Sequence, residues 1–136
     1  MNTLKNRFDQ LHLVHFSSFE RTQIKKHAEL YDLLQDPTVS WLLGEQSPLF
    51  DIQTTVTDSL VLPLLGYGLK AICKDARLVN FQWELGESGS QWSVVRYLDY
   101  LKAGEGEKEG IKDEILSYNR DDVRATRAVE EWLRRG

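Results

Sequence analysis

The chain has 136 residues, a formal net charge of −4, 41% hydrophobic and 28% charged residues, a composition that fits one soluble domain with a modest core. Its acidic balance excludes attraction to nucleic acid by bulk charge alone, although a carboxylate metal site is itself negative until a divalent ion neutralises it. No apolar run approaches the roughly 20 residues that cross a bilayer, no signal-peptide core follows Met1, and Cys73 as the single cysteine excludes an internal disulfide and a multi-cysteine zinc site; a cytoplasmic protein with no membrane partner is expected.

Leu11 to His15 reads as a short strand. Ser17-Ser18 then starts a helix that is expected to run to about Leu34, with Ser17 and Glu20 spaced as a capping box. Ile24, Ala28, Tyr31 and Leu34 form its apolar face at helical spacing, and Asp36-Pro37 closes it. Residues 38–48 read as a short helix ending in a Gly44 to Pro48 loop. Leu49 to about Val56 holds an extended stretch or the entry to another helix. Pro63 and Gly66-Tyr67-Gly68 mark a turn. Leu69 to Leu78 reads as a helix with Leu69, Ile72 and Cys73 inward, and Glu84 to Gly89 as a loop. Gln91 to Ala103 is helical, with Val94, Val95, Leu98 and Leu101 apolar. Residues 103–110, dense in glycine and glutamate, are expected to be a flexible loop. A final helix occupies roughly 111–134, and the whole chain is expected to be one domain without repeats.

The final helix carries the sharpest signal. Ile111, Ile115, Tyr118, Asp122, Ala125, Val129 and Trp132 are spaced alternately four and three apart, one continuous stripe. All are apolar or aromatic except Asp122. A carboxylate on a core-facing stripe is costly unless it is hydrogen-bonded, paired or metal-bound. Tyr118, one turn earlier, would share its space. The alternative is a helix that restarts near Asp121, with Asp122 an ordinary first-turn acid.

Tyr118-Asn119-Arg120-Asp121-Asp122 carries the Tyr-x-x-x-Asp spacing, and with the segment through Val129-Glu130-Glu131-Trp132-Leu133 it resembles the C-terminus of the YprB-type ribonuclease H-like domain. That domain belongs to the tyrosine class of DEDD 3′–5′ exonucleases and also occurs in predicted RecB-family nucleases. Four further segments resemble it in order: His15-Phe16-Ser17-Ser18-Phe19-Glu20, Leu49-Phe50-Asp51-Ile52, Leu62-Pro63 with Tyr67-Gly68-Leu69-Lys70-Ala71-Ile72, and Ser88-Gly89-Ser90-Gln91-Trp92. The resemblance spans about residues 11 to 134. It implies an α/β fold of ribonuclease H type and phosphodiester hydrolysis with two divalent ions, Mg²⁺ or Mn²⁺, whose hard-oxygen ligands are carboxylates. It implies Asp122 and Glu20 as metal ligands and Tyr118 as the group that orients the attacking water. His15, Arg21, Lys70 and Arg124 are candidate contacts to single-stranded DNA or RNA, as are Lys25, Lys26, Arg120 and Arg127. Each has a plainer alternative: Glu20 as a cap, His15 as a hydrogen-bonded core histidine, Asp51 as a strand-end acid, the cations as solvated helix faces.

The family's first motif, Asp-x-Glu on its first strand, is absent: no aspartate here is followed by glutamate two residues later. The expectation is therefore a partial ribonuclease H-like fold, helix-rich with a reduced sheet. Its Leu11–His15 strand would be an exposed edge, to be covered by a second copy or a separately encoded N-terminal piece. Little or no nuclease activity is expected from this chain alone. Two other readings stand beside it: a non-catalytic nucleic-acid-binding or protein-interaction module that keeps the fold, and a plain helical interaction protein.

Overall fold

The structure, a computed structural model, describes residues 7, 10–85 and 90–136. They fall into two compact units, Met1–Gly68 and Leu69–Gly136. Among the described residues no helix is long and apolar enough to cross a membrane.

In the first unit, β1 (Leu13–His15) and β2 (Leu49–Asp51) pair in parallel, with Leu13 opposite Leu49 and His15 opposite Asp51. Parallel neighbours need a crossover, and here it consists of two helices, α1 (Phe19–Leu30) and α2 (Pro37–Leu43). A helix-rich chain with a small parallel sheet is the α/β class that the sequence implies.

Helix α1 stops four residues short of the expected Leu34. Asp32 adopts a left-handed conformation at φ 54°, the Leu33 N–H donates to the Ala28 carbonyl at 2.8 Å, and the Asp32 N–H donates to the Glu29 carbonyl at 3.5 Å. This is a Schellman ending with aspartate at the position glycine usually holds. Tyr31 and Leu34 consequently leave the helix face and are exposed, while Ala28 remains buried. Asp36 does not end α1 but opens α2: its carboxylate accepts the N–H groups of Thr38 at 2.8 Å and Val39 at 3.1 Å, with Pro37 in the first helical position, where its missing N–H costs nothing.

Strand β2 passes directly into α3 (Ile52–Ser59). Ile52 and Val56, four apart, are its fully buried residues. The bend at 60–68 is tied back by Tyr67, whose carbonyl accepts from Gln53 Nε2 at 3.0 Å and whose hydroxyl accepts the Leu62 N–H at 2.7 Å.

In the second unit, α4 (Leu69–Lys74) buries Ile72 and Cys73 as expected but does not reach Leu78. The Asp75 carboxylate accepts both the backbone N–H and the guanidinium of Arg77 at 2.6 to 3.0 Å, a local alternative to helical hydrogen bonding. Those bonds, the side-chain one first, hold the Asp75 carboxyl down at about 2. Helix α5 (Ser90–Lys102) follows; the Ser88-Gly89 start lies outside the described residues.

Residues 103–110 are not a loop. Ala103 and Gly104 turn the chain, and α6 runs unbroken from Glu105 to Arg134. Glu105 and Glu107 complement the positive end of the helix dipole. Lys108–Glu105 and Lys112–Glu109 pair at i, i+3, which offsets part of the roughly 1 kcal/mol that each interior glycine costs relative to alanine. Helix α5 turns Trp92, Arg96 and Tyr100 inward, while Val94, Val95, Leu98 and Leu101, the apolar residues that marked it in the sequence, are exposed. Arg96 Nε donates to Glu114 of α6 at 2.7 Å, which lowers the Glu114 carboxyl and raises the guanidinium.

Arg96→Met is expected to lower the melting temperature slightly at neutral pH, since exposed pairs are screened by solvent. Because the Glu114 carboxyl is depressed in the folded chain, that contribution is complete above the ordinary glutamate range and is lost as the pH falls through the depressed value. Melting curves of wild type and variant should therefore converge on acidification.

Candidate functional site

In the first unit the β1–α1 turn presents Glu20. Ser17 sits there with φ 80°, left-handed and strained for a residue with a Cβ. It is held at both of its backbone polar groups. Its N–H donates to Asp51 Oδ1 at 2.8 Å, and its carbonyl accepts from His15 Nδ1 at 2.7 Å. The same Asp51 oxygen accepts the Gln53 N–H at 3.0 Å and so caps α3. The expected capping box does not form. Ser18 is the N-cap and makes no side-chain cap bond. Ser17 Oγ accepts only the nearby Phe19 N–H at 3.3 Å. Glu20 lies instead 3.4 Å from His15 Nδ1, with the histidine buried and the glutamate 45% exposed. Arg21 donates to the Leu43 carbonyl at the end of α2 at 2.6 Å, where a cation is favoured by the helix dipole.

The second unit holds Tyr118 and Asp122. Tyr118 is buried on α6 and Asp122 is half-buried one turn on; α6 continues through both without restarting. Asp122 Oδ1 accepts the Trp83 indole N–H at 2.7 Å. Lys70 Nζ donates to the Tyr118 hydroxyl at 3.1 Å. It lies 5.1 Å from the centre of that ring and 5.6 Å from the centre of the Trp83 ring, within cation–π range.

Asp121 is the residue that sequence reasoning passed over. It is only 2% exposed; Oδ2 accepts the Glu84 N–H at 2.7 Å, and Oδ1 lies 3.5 Å from Arg124. Arg124 also reaches Glu84 at 3.2 Å. Two adjacent aspartates thus clasp two adjacent residues, Trp83 and Glu84. The signal was present: Asp121 lies three after Tyr118 and four before Ala125, so the apolar stripe passes through it as well as through Asp122. Trp83 left a fainter trace, the alternation Phe81, Trp83, Leu85 of an extended segment.

Cys73, fully buried on α4, faces the same helix, its thiol 3.8 Å from the Ala125 carbonyl. Burial first, and the Asp122 charge second, push the thiol up to about 12. Among the described residues no group of three or more histidine, cysteine, aspartate or glutamate side chains is gathered to hold a metal ion.

The RNase_H_2 family model, of the RNase H superfamily, matches residues 1–134. No curated protein and no solved structure matches the chain.

Two outcomes follow from this geometry. Asp51→Ala removes the α3 cap and strands the Ser17 N–H, and should cost about 2 kcal/mol in urea unfolding, about half from each lost bond. Cys73 should resist iodoacetamide at pH 8 in the folded chain and label readily once unfolded, because its thiolate is scarce below about 12. The sign for stability is negative: between 9 and about 12 the unfolded chain gives up this proton first, so stability falls as the pH rises through that window.

Proposed function

The chain belongs to the RNase H superfamily, and from that membership we propose that it is a nuclease-like domain of the YprB-type, tyrosine-class DEDD 3′–5′ exonuclease group, carrying one wall of a two-metal site. Asp122 is the metal ligand of that wall and Tyr118 orients the attacking water; Glu20, in the first unit, keeps only the role that the resemblance gives it, a carboxylate ligand for a divalent ion. The observation that supports this reading is the placement of Asp122 one turn after a buried Tyr118 on an unbroken helix whose buried residues are apolar or aromatic apart from Asp121. An aspartate supplies the hard oxygen that Mg²⁺ or Mn²⁺ prefers. The donor set fits a wall rather than a closed cage: no Asp-x-Glu pair exists in the 136 residues, so a complete site takes its other carboxylates from a further segment, from a separately encoded piece or from a second copy.

Bound metal would polarise the scissile phosphate and lower the barrier to in-line attack. The work of this chain's residues is narrower. The Tyr118 hydroxyl is held at a fixed position by Lys70. The Asp122 carboxylate, held by Trp83, keeps one orientation. Single-stranded nucleic acid is the substrate class, and turnover by this chain alone is expected to be little or none.

One observation favours a second reading, a non-catalytic module that retains the fold. The Trp83 indole satisfies Asp122 within the protein, so the carboxylate has a structural use without metal.

Melting in EDTA against melting in Mn²⁺ separates the two. At an ion concentration about ten times the dissociation constant, binding adds about 1.4 kcal/mol and should raise the midpoint by about 5 °C. Asp122→Asn should abolish the rise, although asparagine can still accept from Trp83. A wild type indifferent to Mn²⁺, or a variant that responds equally, would leave only the scaffold reading. Robust Mg²⁺-dependent digestion of single-stranded DNA by the chain alone would overturn the incomplete-site reading.

A further inference from the structure

We infer that Lys70 and Trp83 are positioning residues that lock the Tyr118 phenol and the Asp122 carboxylate into one fixed relation. This rests on the assignment of Tyr118 and Asp122 given above. It goes beyond it by naming two residues that touch neither metal nor substrate but decide how those two groups are presented. Lys70 is thereby moved from the candidate phosphate contacts to the interior of the site.

The chemistry of the donors makes the arrangement directional. An ammonium and an indole N–H can only donate. The Lys70 bond at 3.1 Å therefore makes the phenol oxygen an acceptor and turns the phenol's own proton away from the ammonium. The Trp83 bond at 2.7 Å fixes one oxygen of Asp122 and so stops rotation of the carboxylate. The two bonds are not independent. The Lys70 ammonium is within cation–π range of both rings, 5.6 Å from the centre of Trp83 and 5.1 Å from that of Tyr118.

Each ring is also braced by another aromatic. Phe81 meets Trp83 edge-on at 5.1 Å and 88°, and Trp92 of α5 packs against Tyr118 at 5.3 Å. Trp83 and Tyr118 are 8% and 5% exposed, so neither ring is placed to stack on a base. Their burial suits a fixed support. Partners of this kind, one shell out from a metal ligand, set its orientation.

The test uses the full chain labelled with ¹⁵N. The protein has four tryptophans, so the Trp83 indole N–H peak is assigned through its bonded carbons in chain labelled with ¹³C as well as ¹⁵N. In metal-free protein, Asp122→Asn should move that peak upfield, as a charge-assisted bond becomes a neutral one. Lys70→Met should shift it as the cation leaves the ring, and Lys70→Arg should restore it. An unmoved peak in both Asp122→Asn and Lys70→Met overturns the inference.

Mn²⁺ titration then supplies a readout that a purely structural role would not move. Trp83→Phe should weaken Mn²⁺ binding about ten- to a hundredfold. Unchanged affinity would overturn the positioning role even if the metal assignment holds. Should Trp83→Phe fail to fold, Lys70→Met, at a half-buried side chain, carries the test through Mn²⁺ broadening of the Trp83 peak. The broadening should change in Lys70→Met and recover in Lys70→Arg, and identical broadening in all three chains overturns the inference. Failure of the metal assignment looks different: no broadening in the wild type, with the metal-free shifts still present.

Discussion

Two adjacent carboxylates on the inward side of α6 set the terms for the second unit. A carboxylate removed from water without donors costs several kcal/mol, and Asp121, only 2% exposed, has almost no water left to lose. The surrounding chain is arranged around that demand. Residues 81–84, which are neither helix nor strand, deliver successive donors: the indole of Trp83 to Asp122 and the backbone N–H of Glu84 to Asp121. The near end of the same segment is anchored by the Phe81 N–H on the Cys73 carbonyl at 2.8 Å. Helix α4, the 81–84 segment and α6 are thereby tied together by hydrogen bonds that the aspartate oxygens and the Cys73 carbonyl accept.

The first unit meets a comparable demand with one oxygen. Asp51 Oδ1 accepts from the β1–α1 turn and from the first turn of α3. Ser17 in a left-handed conformation costs roughly 1–3 kcal/mol, and it persists because the Asp51 bond on its N–H and the His15 bond on its carbonyl both require that turn. Glu20 follows three residues later, so the direction in which it leaves the strand end depends on Asp51 from the neighbouring strand. The strain and the candidate ligand belong to one local arrangement, and a cap at β2 carries it.

Much of this was legible in the sequence where a pattern had physical redundancy. The α6 stripe repeats over seven positions, and the structure buries Ile111, Tyr118, Ala125 and Val129 along it. The first strand and the helices after it were each marked by their own turn residues, whereas its parallel pairing with Leu49–Asp51 was not marked. The misreadings fall where a single residue has two uses. Asp32 ends α1 from a left-handed position that sequence assigns by default to glycine. Asp36-Pro37 reads equally as a stop and as a start, and the Asp36 side chain decides for the start. Glu20 has the spacing of a capping-box acid, but the positive φ of Ser17 removes the serine from the cap and leaves Glu20 beside His15. The glycines in 103–110 suggested a loop because composition weighs each glycine alone, whereas the i, i+3 ion pairs act on the helix as a whole. Trp83 was out of reach, since nothing in residues 79–85 specifies which helix an isolated tryptophan will donate to.

The pair Asp121-Asp122 also resolves a tension in reading a core carboxylate as a ligand. A ligand must keep an oxygen available, while a buried carboxylate must be satisfied, and one residue meets both demands poorly. Here the demands are divided. Asp121 is the more buried and is occupied by a backbone N–H and by Arg124. It holds the segment in place. Asp122 is half-buried and accepts at Oδ1 from the Trp83 side chain rather than from backbone. The two fixed cations stand on separate duties, Arg124 on Asp121 and Glu84 and Lys70 on the Tyr118 phenol. A helix that needed only a packed core would place an apolar residue at both positions. Two carboxylates there, each with its own donors, tie α6 to the segment that carries Trp83 and Glu84.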